Sequence, residues 1–490
     1  MGAKTCEITV IGGGPAGMAA AQMAASLGAS VVLIDDAPDL GGHFFKESPF
    51  GGVIGRRQQR KLKELETRRQ ALANTEVEVL TNARVWGIFE ETGSGLNGRS
   101  DPHGTRFQLQ LDSTPRGVTS VRTRYLILSP GVYDRPMPFP GWELPGVVTP
   151  GAAQIQLEKQ GLLPGKRVLV GGSGPLQLLL AAELVRYGVE VVAVVDTCAA
   201  LEGVVQTPAA LGGLWSRLGE AVESAAALAR RGVPILFRHA VFRALGTPES
   251  GVQGVVVGRV DEQGRPIPQS ERTYEVDTVC VGYGFIPSIA LTLHLGCAHR
   301  YDNDLQAFIP EHDVSLQTSL PGIYVAGDVT GAGGKPLAEL QGQLAAISVL
   351  ENMGRIPGEQ ADIARGRLTP GIEREKRFAK WLWRRYRVRP GLLELADNET
   401  LLCRCEAVRM GQFRESLENG GKDLFGVKLR TRLGMGQCQG RYCVPNAALL
   451  ISAHNGQPAA ELSLPSIRPP IVPVRLKDIA VHDQTLEGIE

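Results

Sequence analysis

The chain has 490 residues, a formal net charge of +1, and 43% hydrophobic against 21% charged residues. At roughly 150 residues per domain it should hold about three domains with ample core, and its near-neutral charge gives no electrostatic case for nucleic acid. Of its eight cysteines, four are packed into residues 403–443, which points to metal or redox use before disulfides.

The first predicted elements run from Ile8 to Asp35. A β-branched run leads into Gly12-x-Gly14-x-x-Gly17, then an Ala-rich helical stretch, then Val31 to Ile34 and Asp35. This strand–turn–helix–strand order is the context in which a glycine fingerprint means dinucleotide binding. Gly12 allows the tight turn, Gly14 lets a pyrophosphate approach the backbone, and Gly17 lets helix and strand pack closely. Asp35, 18 residues after Gly17, is placed to accept hydrogen bonds from a ribose. No residue from Ile8 to Ile34 is charged, so a membrane span is the rival reading. Three consecutive glycines and the change of period argue against it, and no other segment looks like a span.

Gly41 and Gly42 suit close passage of the backbone beside a flavin's phosphates or ribityl chain. Arg56 to Arg69 is basic and helical and reads as a solvated face. Glu76 to Phe89 alternates as a strand does, with Val85 where the backbone can bracket an adenine. Residues 91–104 read as an exposed hairpin connection. A buried strand ending at Leu128 runs into Ser129-Pro130-Gly131 and then a Pro-rich crossing. Arg167 to Asp196 repeats the opening pattern, with Gly172 and Gly174 in place but Gln177 where the third glycine should stand. A bulky residue there should push the helix off the strand or alter the phosphate pocket. Asp196 suits a ribose hydroxyl and repels a 2′-phosphate, so this second domain is a site for NAD or an adenine nucleotide, or a structural relic. Leu211 to Arg231 has helical spacing, strands are expected near 234–238 and 252–260, and Val276 to Gly282 closes the domain. Gly322 to Asp328 is a strand ending in Gly327-Asp328, followed by a helix over Pro336 to Asn352.

Leu368 to Arg389 reads as a basic helical linker anchored by Trp381 and Trp383. Then come Cys403-Arg404-Cys405 and, after 32 residues, Cys438, four residues and Cys443. In an extended segment residues i and i+2 share a side, so Cys403 and Cys405 can converge. Gly434, Gly436 and Gly440 let the second loop wrap tightly. Zinc sites more often use C-x2-C pairs, so this spacing favours an iron–sulfur cluster, with zinc and plain reduced thiols as alternatives. Cys6, Cys198, Cys280 and Cys297 are isolated and read as reduced core residues. The proline-rich run Leu464 to Val474 reads as an extended strap over this chain or a partner.

With these motifs in order, the chain resembles the two-dinucleotide-domain flavoprotein disulfide reductases, and its cysteine spacing resembles the bacterioferritin-associated-ferredoxin-like module. It departs from the first in Ser129-Pro130-Gly131, where Ala-Thr-Gly is usual, and in lacking the redox-active cysteine pair. The run Asp134 to Gln154 and the segment Gly334 to Gly342 look particularly like the large FAD/iron–sulfur subunit of multi-subunit amino- and imino-acid dehydrogenases. That group includes opine oxidases, proline and hydroxyproline dehydrogenases, hydrogen cyanide synthase and heterotetrameric sarcosine oxidase. The resemblance implies an α/β fold: an FAD domain from 1–150 and 290–365, a second nucleotide domain at 151–289, a helical linker at 366–398, a [2Fe–2S] module at 399–452 and a tail at 453–490. It implies FAD on Gly12, Gly14, Gly17, Asp35, Gly42, Val85, Ser129, Gly131, Gly327 and Asp328. It places a [2Fe–2S] cluster on Cys403, Cys405, Cys438 and Cys443, with Arg404 and Arg441 raising its potential. The second nucleotide, where present, would use Gly172, Gly174 and Asp196.

No residue of this chain is assigned to catalysis. The implied activity is that of one component of an FAD-dependent oxidoreductase acting on CH–NH or CH–NH2 donors. A partner flavoprotein would oxidise the substrate, with or without a small ferredoxin-like subunit. The setting would be cytoplasmic, touching the inner face of the membrane only through partners. Two other readings are a stand-alone NAD(P)H-dependent ferredoxin or rubredoxin reductase, and a nucleotide-binding scaffold subunit.

Overall fold

The computed structural model describes residues 2–45, 56–91, 104–112, 118–200 and 211–476, with 479. Three units share the chain, two of them built on parallel sheets.

The first sheet joins β1 (Gly2–Ile11), β2 (Val31–Ile34), β3 (Glu78–Leu80), β4 (Arg84–Glu90), β5 (Phe107–Asp112) and β6 (Val118–Leu128) in the order β3-β2-β1-β6-β5-β4. β1 and β2 run parallel with Ile8 opposite Val31, which makes the β-branched runs of the sequence a sheet core buried on both faces. The sheet returns late in the chain, when β19 (Ile323–Val325) pairs with the end of β6. Helices α1 (Pro15–Ser26) and α7 (Lys335–Asn352) pack together on one face. α2 (Arg56–Ala73) joins them through buried Leu65 and Leu72. The basic stretch is only partly a solvated face: Gln59, Arg60, Lys63, Glu66 and Thr67 are exposed, whereas Arg68 pairs with Glu64 and Glu339, and Arg69 donates to the Leu40 carbonyl at 3.0 Å. Residues 92–103 of the expected hairpin connection lie outside the described residues; the strands on either side, β4 and β5, are antiparallel.

The second unit follows two short pieces, β7 (Val132–Asp134) and β8 (Val147–Val148), and the turns of α3 (Pro150–Gln154). Its sheet takes β9 (Arg167–Ser173), β10 (Glu190–Asp196), β11 (Ile235–Phe237) and β15 (Thr278–Tyr283) in the parallel order β11-β10-β9-β15-β8. Helices α4 (Pro175–Arg186) and α5 (Leu211–Arg230) cover it. A three-stranded antiparallel sheet of β12 (His239–Thr247), β13 (Gly251–Arg259) and β14 (Arg272–Glu275) covers the other face, and two of its strands were not expected from the sequence. β16 (Phe285–Pro287) pairs back to β7, and after α6 (Ala290–His294) the β17 (His299–Asp302) and β18 (Ala307–Pro310) hairpin leads back to the first unit.

The linker helix α8 starts at Gly358, runs to Arg385 and packs on α7 rather than standing free. Trp383 is buried and donates to the Ala332 carbonyl at 2.9 Å, while Trp381 is half-buried against Phe378. The third unit is small: β20 (Leu401–Cys403), β21 (Val408–Arg409), α9 (Met410–Glu418), α10 (Leu424–Thr431) and α11 (Cys443–Asn455). Two hydrogen bonds tie it to the Pro-rich crossing, Trp142 Nε1 to the Leu401 carbonyl and Asn446 Nδ2 to the Pro136 carbonyl, both 2.7 Å. Among the described residues no helix is long and apolar enough to cross a membrane.

The α1–α7 contact is backbone on backbone, because a Cβ on Gly342 would overlap the Ala16 carbonyl oxygen. Gly342→Val should therefore cost about 3 kcal/mol as an overpacked core site. Gly366, on α8 with nothing within 4 Å of its would-be Cβ, gives the contrast. Gly366→Ala should gain a few tenths to about 1 kcal/mol. Thermal midpoints of the two variants, read side by side, check both signs.

Candidate functional site

The first fingerprint folds as its residue types dictate. Gly12 has φ of +102°, and a Cβ there would overlap the Ser129 carbonyl oxygen at the end of β6. A Cβ on Gly17 would overlap the Gly12 carbonyl oxygen, so this glycine is what lets α1 seat on β1. Gly14 differs: a Cβ there would meet nothing nearer than the Gly42 Cα at 4.0 Å. The space in front of Gly14 is open in the fold and suits a phosphate approaching the helix N-terminus. Gly42, at φ +60°, brings the second loop against Gly14 backbone to backbone.

Asp35 is buried and accepts from the Gly13 amide and, at 2.8 Å, the Ala37 amide. Burial pushes its carboxyl up, and those amides pull it back. A carboxylate has about four acceptor positions, so a ribose hydroxyl can still be received. Ser129 turns its hydroxyl inward to the Ile11 and Gly12 carbonyls, 3.0 Å each, so it holds the fingerprint in place. Asp328 accepts from the Gly334 amide at 2.8 Å and from Gly333, which shapes the glycine loop before α7.

These residues share one cavity of about 990 Å³, toward the upper end of the range for small-molecule sites. Gly12, Gly14, Asp35, Gly42, Val85, Ser129, Gly131, Gly327 and Asp328 all line it. A cradle with room at Gly14 and acceptors at Asp35 fits a dinucleotide. Several lining residues carried no recognisable signal in the sequence. Lys335, at the first position of α7, pairs with Glu64 and lies 5.5 Å from the Phe44 ring. Lys61 of the basic helix lies 4.7 Å over the same ring. The tail closes the end near Val85: the Ile471 amide donates to the Trp86 carbonyl at 2.9 Å, and Ile471 and Val472 line the cavity. The same strap touches the cysteine loop, where Gln439 Nε2 donates to the Pro470 carbonyl at 2.7 Å. The sequence showed the strap's extended character, but not what it covers.

The second fingerprint is arranged differently. Gly172, Gly174 and Asp196 do not line this cavity, although Pro175, Leu176 and Leu179 from the same helix do. α4 stays on its sheet despite Gln177, because that side chain is buried and donates to the Gly282 carbonyl at 2.7 Å. The expected displacement of the helix is thus replaced by a side-chain bond across the turn. Asp196 accepts from the Cys198 amide at 2.8 Å. The end of α8 lies over this region: Ser173 Oγ donates to the Tyr386 carbonyl at 3.3 Å, and Arg385 donates to the Ala199 and Ala200 carbonyls at 3.0 and 3.2 Å. The isolated cysteines Cys6, Cys198, Cys280 and Cys297 are all buried, and burial pushes each thiol up, Cys280 to about 12.

The four clustered cysteines are brought together two by two. Cys403 is hydrogen-bonded to Cys443, and Cys405 to Cys438. Among the described residues no three His, Cys, Asp or Glu side chains converge in the manner of a single-ion site. Four thiols brought near one another supply the full ligand set of a [2Fe–2S] cluster. The bond from Cys443 brings the Cys403 thiol down to about 6, aided by the amides of Glu406, Gly434 and Cys405 and opposed by burial, while Cys443 rises. The route to convergence is not strand alternation, since the strand ends at Cys403 and Cys405 sits in a turn. Cys443 begins α11, where amides lack intrahelical partners. Arg404 and Arg441 turn from the cysteines to aromatic faces, 4.5 Å over Trp142 and 5.0 Å over Tyr133. Both arginines, with Tyr442, line the cavity of the first fingerprint.

Comparison with known proteins places this arrangement. The model of the pyridine nucleotide-disulphide oxidoreductases matches residues 6–354, and that of the BFD-like [2Fe-2S] binding domain matches residues 401–453.

The chain belongs to the pyridine nucleotide-disulphide oxidoreductase family.

Within this family it groups with the large subunits expected from its motifs. It is 34% identical to hydrogen cyanide synthase subunit HcnB of Pseudomonas aeruginosa, over 89% of this chain and 90% of that one. It is 32% identical to an opine oxidase subunit of Rhizobium meliloti, over 97% and 98%. The alpha subunit of sarcosine oxidase from the same species is 25% identical over 96% of this chain but 42% of its own length. In fold the chain is similar to L-proline dehydrogenase from P. horikoshii, with a TM-score of 0.67 at 21% identity, covering 98% of this chain and 80% of that one. These family matches support FAD in the first domain and a [2Fe–2S] cluster in the C-terminal module.

Two variants separate the parts of the family's nucleotide cradle. Gly14→Val should fold with the thermal midpoint of the apoprotein but purify without flavin, keeping only the cluster's absorbance, because its side chain enters open space needed by the pyrophosphate. Full flavin occupancy would disprove that role. Ile471→Asp puts a charge at the strap's buried contact and should speed FAD release about tenfold, a change of about 1.4 kcal/mol, as followed by the return of flavin fluorescence.

Proposed function

We propose that this chain is the FAD- and [2Fe–2S]-carrying electron-transfer subunit of a heteromeric dehydrogenase or oxidase of an amino or imino acid. The substrate class is that of the opines, proline, hydroxyproline, sarcosine or glycine. A partner flavoprotein removes the electrons from the substrate, and this chain carries them to an acceptor. One observation carries the reading: Arg404, Arg441 and Tyr442, each beside a cluster cysteine, line the cavity that begins at the glycine fingerprint. The nucleotide cradle and the cysteine module thus share one wall, tied to the body at Trp142 and Asn446.

Each residue has a definable task. Gly12, Gly14, Gly17 and Gly42 shape the pyrophosphate cradle, Asp35 receives the ribose, and Val85 and Ile471 enclose the adenine end. Asp328 orders the loop before α7, whose N-terminus carries partial positive charge toward the cavity, reinforced by Lys335. Cys403, Cys405, Cys438 and Cys443 hold the cluster. When bound, FAD takes electrons in pairs and the cluster passes them singly, which is the chemistry such a subunit supplies. Arg404 and Arg441 place two positive charges between the two sites. Gly172, Gly174 and Asp196 keep the outline of a nucleotide site, but Gln177 and the end of α8 occupy its approaches. A hydride from NADH therefore has no evident way in.

The native complex, purified with its partners and mixed anaerobically with each amino- or imino-acid class, should show flavin bleaching with one of them. NADH should reduce the flavin poorly or not at all; rapid bleaching by NADH would instead establish a stand-alone reductase. Iron and acid-labile sulfide should appear at about two each per chain. Cys438→Ser should lose or alter the one-electron paramagnetic signal and slow acceptor reduction, while substrate still reduces the partner flavin. Undiminished turnover in that variant would remove the cluster from the route.

A further inference from the structure

The cysteine module has two unlike sides. Cys403 and Cys443 are buried, whereas Cys405 is exposed and Cys438 half-buried. The short helix α10 precedes the loop that carries Cys438. It buries Leu424 and Val427 against the module core. Phe425 and Leu429, at i and i+4, share the opposite face. Phe425 is 57% exposed and Leu429 63%, and Met435 in the following turn is 38% exposed. Phe425 and Leu429 stand one helical turn apart, with exposed Met435 in the turn that follows, and large apolar side chains exposed in this way mark interaction sites.

The stripe leads to the cluster ligands. Arg432 donates to Glu406 at 2.8 Å, and Glu406 follows Cys405 directly. Gly436, next to Met435, packs on Cys405 so tightly that a Cβ would overlap the Cys405 Cβ. Basic residues follow one another along α10 and its end: Arg432 is neutralised by Glu406, and Lys428 and Arg430 make up the rim.

We propose that the face made by Phe425, Leu429 and Met435, rimmed by Lys428 and Arg430, docks a small acidic one-electron carrier protein. The inference rests on the electron-transfer reading above and adds the exit and the kind of partner. An exposed ligand thiol is where a second redox centre can come nearest. A small apolar centre with a basic rim matches the weak interfaces of redox encounters, below about 1,200 Å². The single-sign rim would steer an oppositely charged carrier and raise its encounter rate. One electron leaves the module and one arrives on the carrier; no bond forms or breaks and no proton moves.

The test uses the cluster-loaded full chain and, as probe, an acidic [2Fe–2S] ferredoxin, with basic cytochrome c as the opposite-charge control. Loading is verified by the paramagnetic signal after dithionite. Binding of the ferredoxin, titrated calorimetrically, should weaken steeply with salt. Lys428→Glu with Arg430→Glu should weaken it about tenfold or more at low ionic strength, flatten the salt dependence and strengthen cytochrome c binding. Leu429→Gln, which leaves every charge in place, should weaken binding at high and low salt alike. Unchanged affinity in both variants would overturn the proposal. So would loss of the substrate-oxidising subunit from the charge-reversed complex, which would make this face a subunit interface. Dithionite loads the module without the flavin, so a cluster that substrate cannot reduce would refute the proposed function while the titration still decides the docking face.

Discussion

Three backbone segments meet where no side chain fits, and the rest of the architecture depends on that meeting. The turn at Gly12 lies against the end of β6 at Ser129, the start of α1 lies against the Gly12 carbonyl through Gly17, and α7 lies against α1 through Gly342. Each contact requires glycine because a Cβ would collide with backbone, which cannot move aside as a side-chain tip can. The result is a rigid corner from which the floor of the cavity projects. Ser129 fastens that corner with two hydrogen bonds where a disulfide reductase carries a different turn. Residues 323–352 complete it from the far side of the inserted second unit, so the FAD domain exists only once both halves of the chain are present.

The second unit has the same plan put to another use. Gly172 keeps its close approach, to the Gly282 carbonyl, but Gln177 fills with an amide the place a third glycine would leave clear. The Gln177 Nε2 satisfies the Gly282 carbonyl, while its Oε1 is buried without a partner, which offsets part of what that bond contributes. The linker then lays Arg385 and Tyr386 across the ends of the strands. In this arrangement the second unit presents Pro175, Leu176 and Leu179 to the cavity and gives the cysteine module a body to dock on.

Much of this was legible in the residues. The glycine fingerprints announce themselves because backbone clearance has a sequence signature, and four cysteines in a C-x-C and C-x4-C spacing have few uses. The strand and helix periods located β1, β2, α7 and the linker, but ran β3 and β4 together as one alternating stretch over Glu76 to Phe89. What was not legible depended on chain segments distant in sequence. Arg56 to Arg69 looks solvated until α7 supplies Glu339 and the cavity supplies a place for Lys61. Arg404 and Arg441 look like neighbours of cysteines until the Pro-rich crossing supplies Trp142 and Tyr133 as faces to lie on. Cys405 looks like a strand residue until the strand stops at Cys403. β12 escaped notice because its alternation is broken at register shifts, and β14 because it spans only Arg272–Glu275 and is mostly polar.

The strap at Ile471 has a consequence for the two cofactor sites together. One short segment touches both β4 at Trp86, next to cavity-lining Val85, and the cysteine loop at Gln439. A disturbance at either cofactor site thus has a covalent neighbour at the other, through the proline-rich chain at Pro470 and Ile471, which leaves little slack between them.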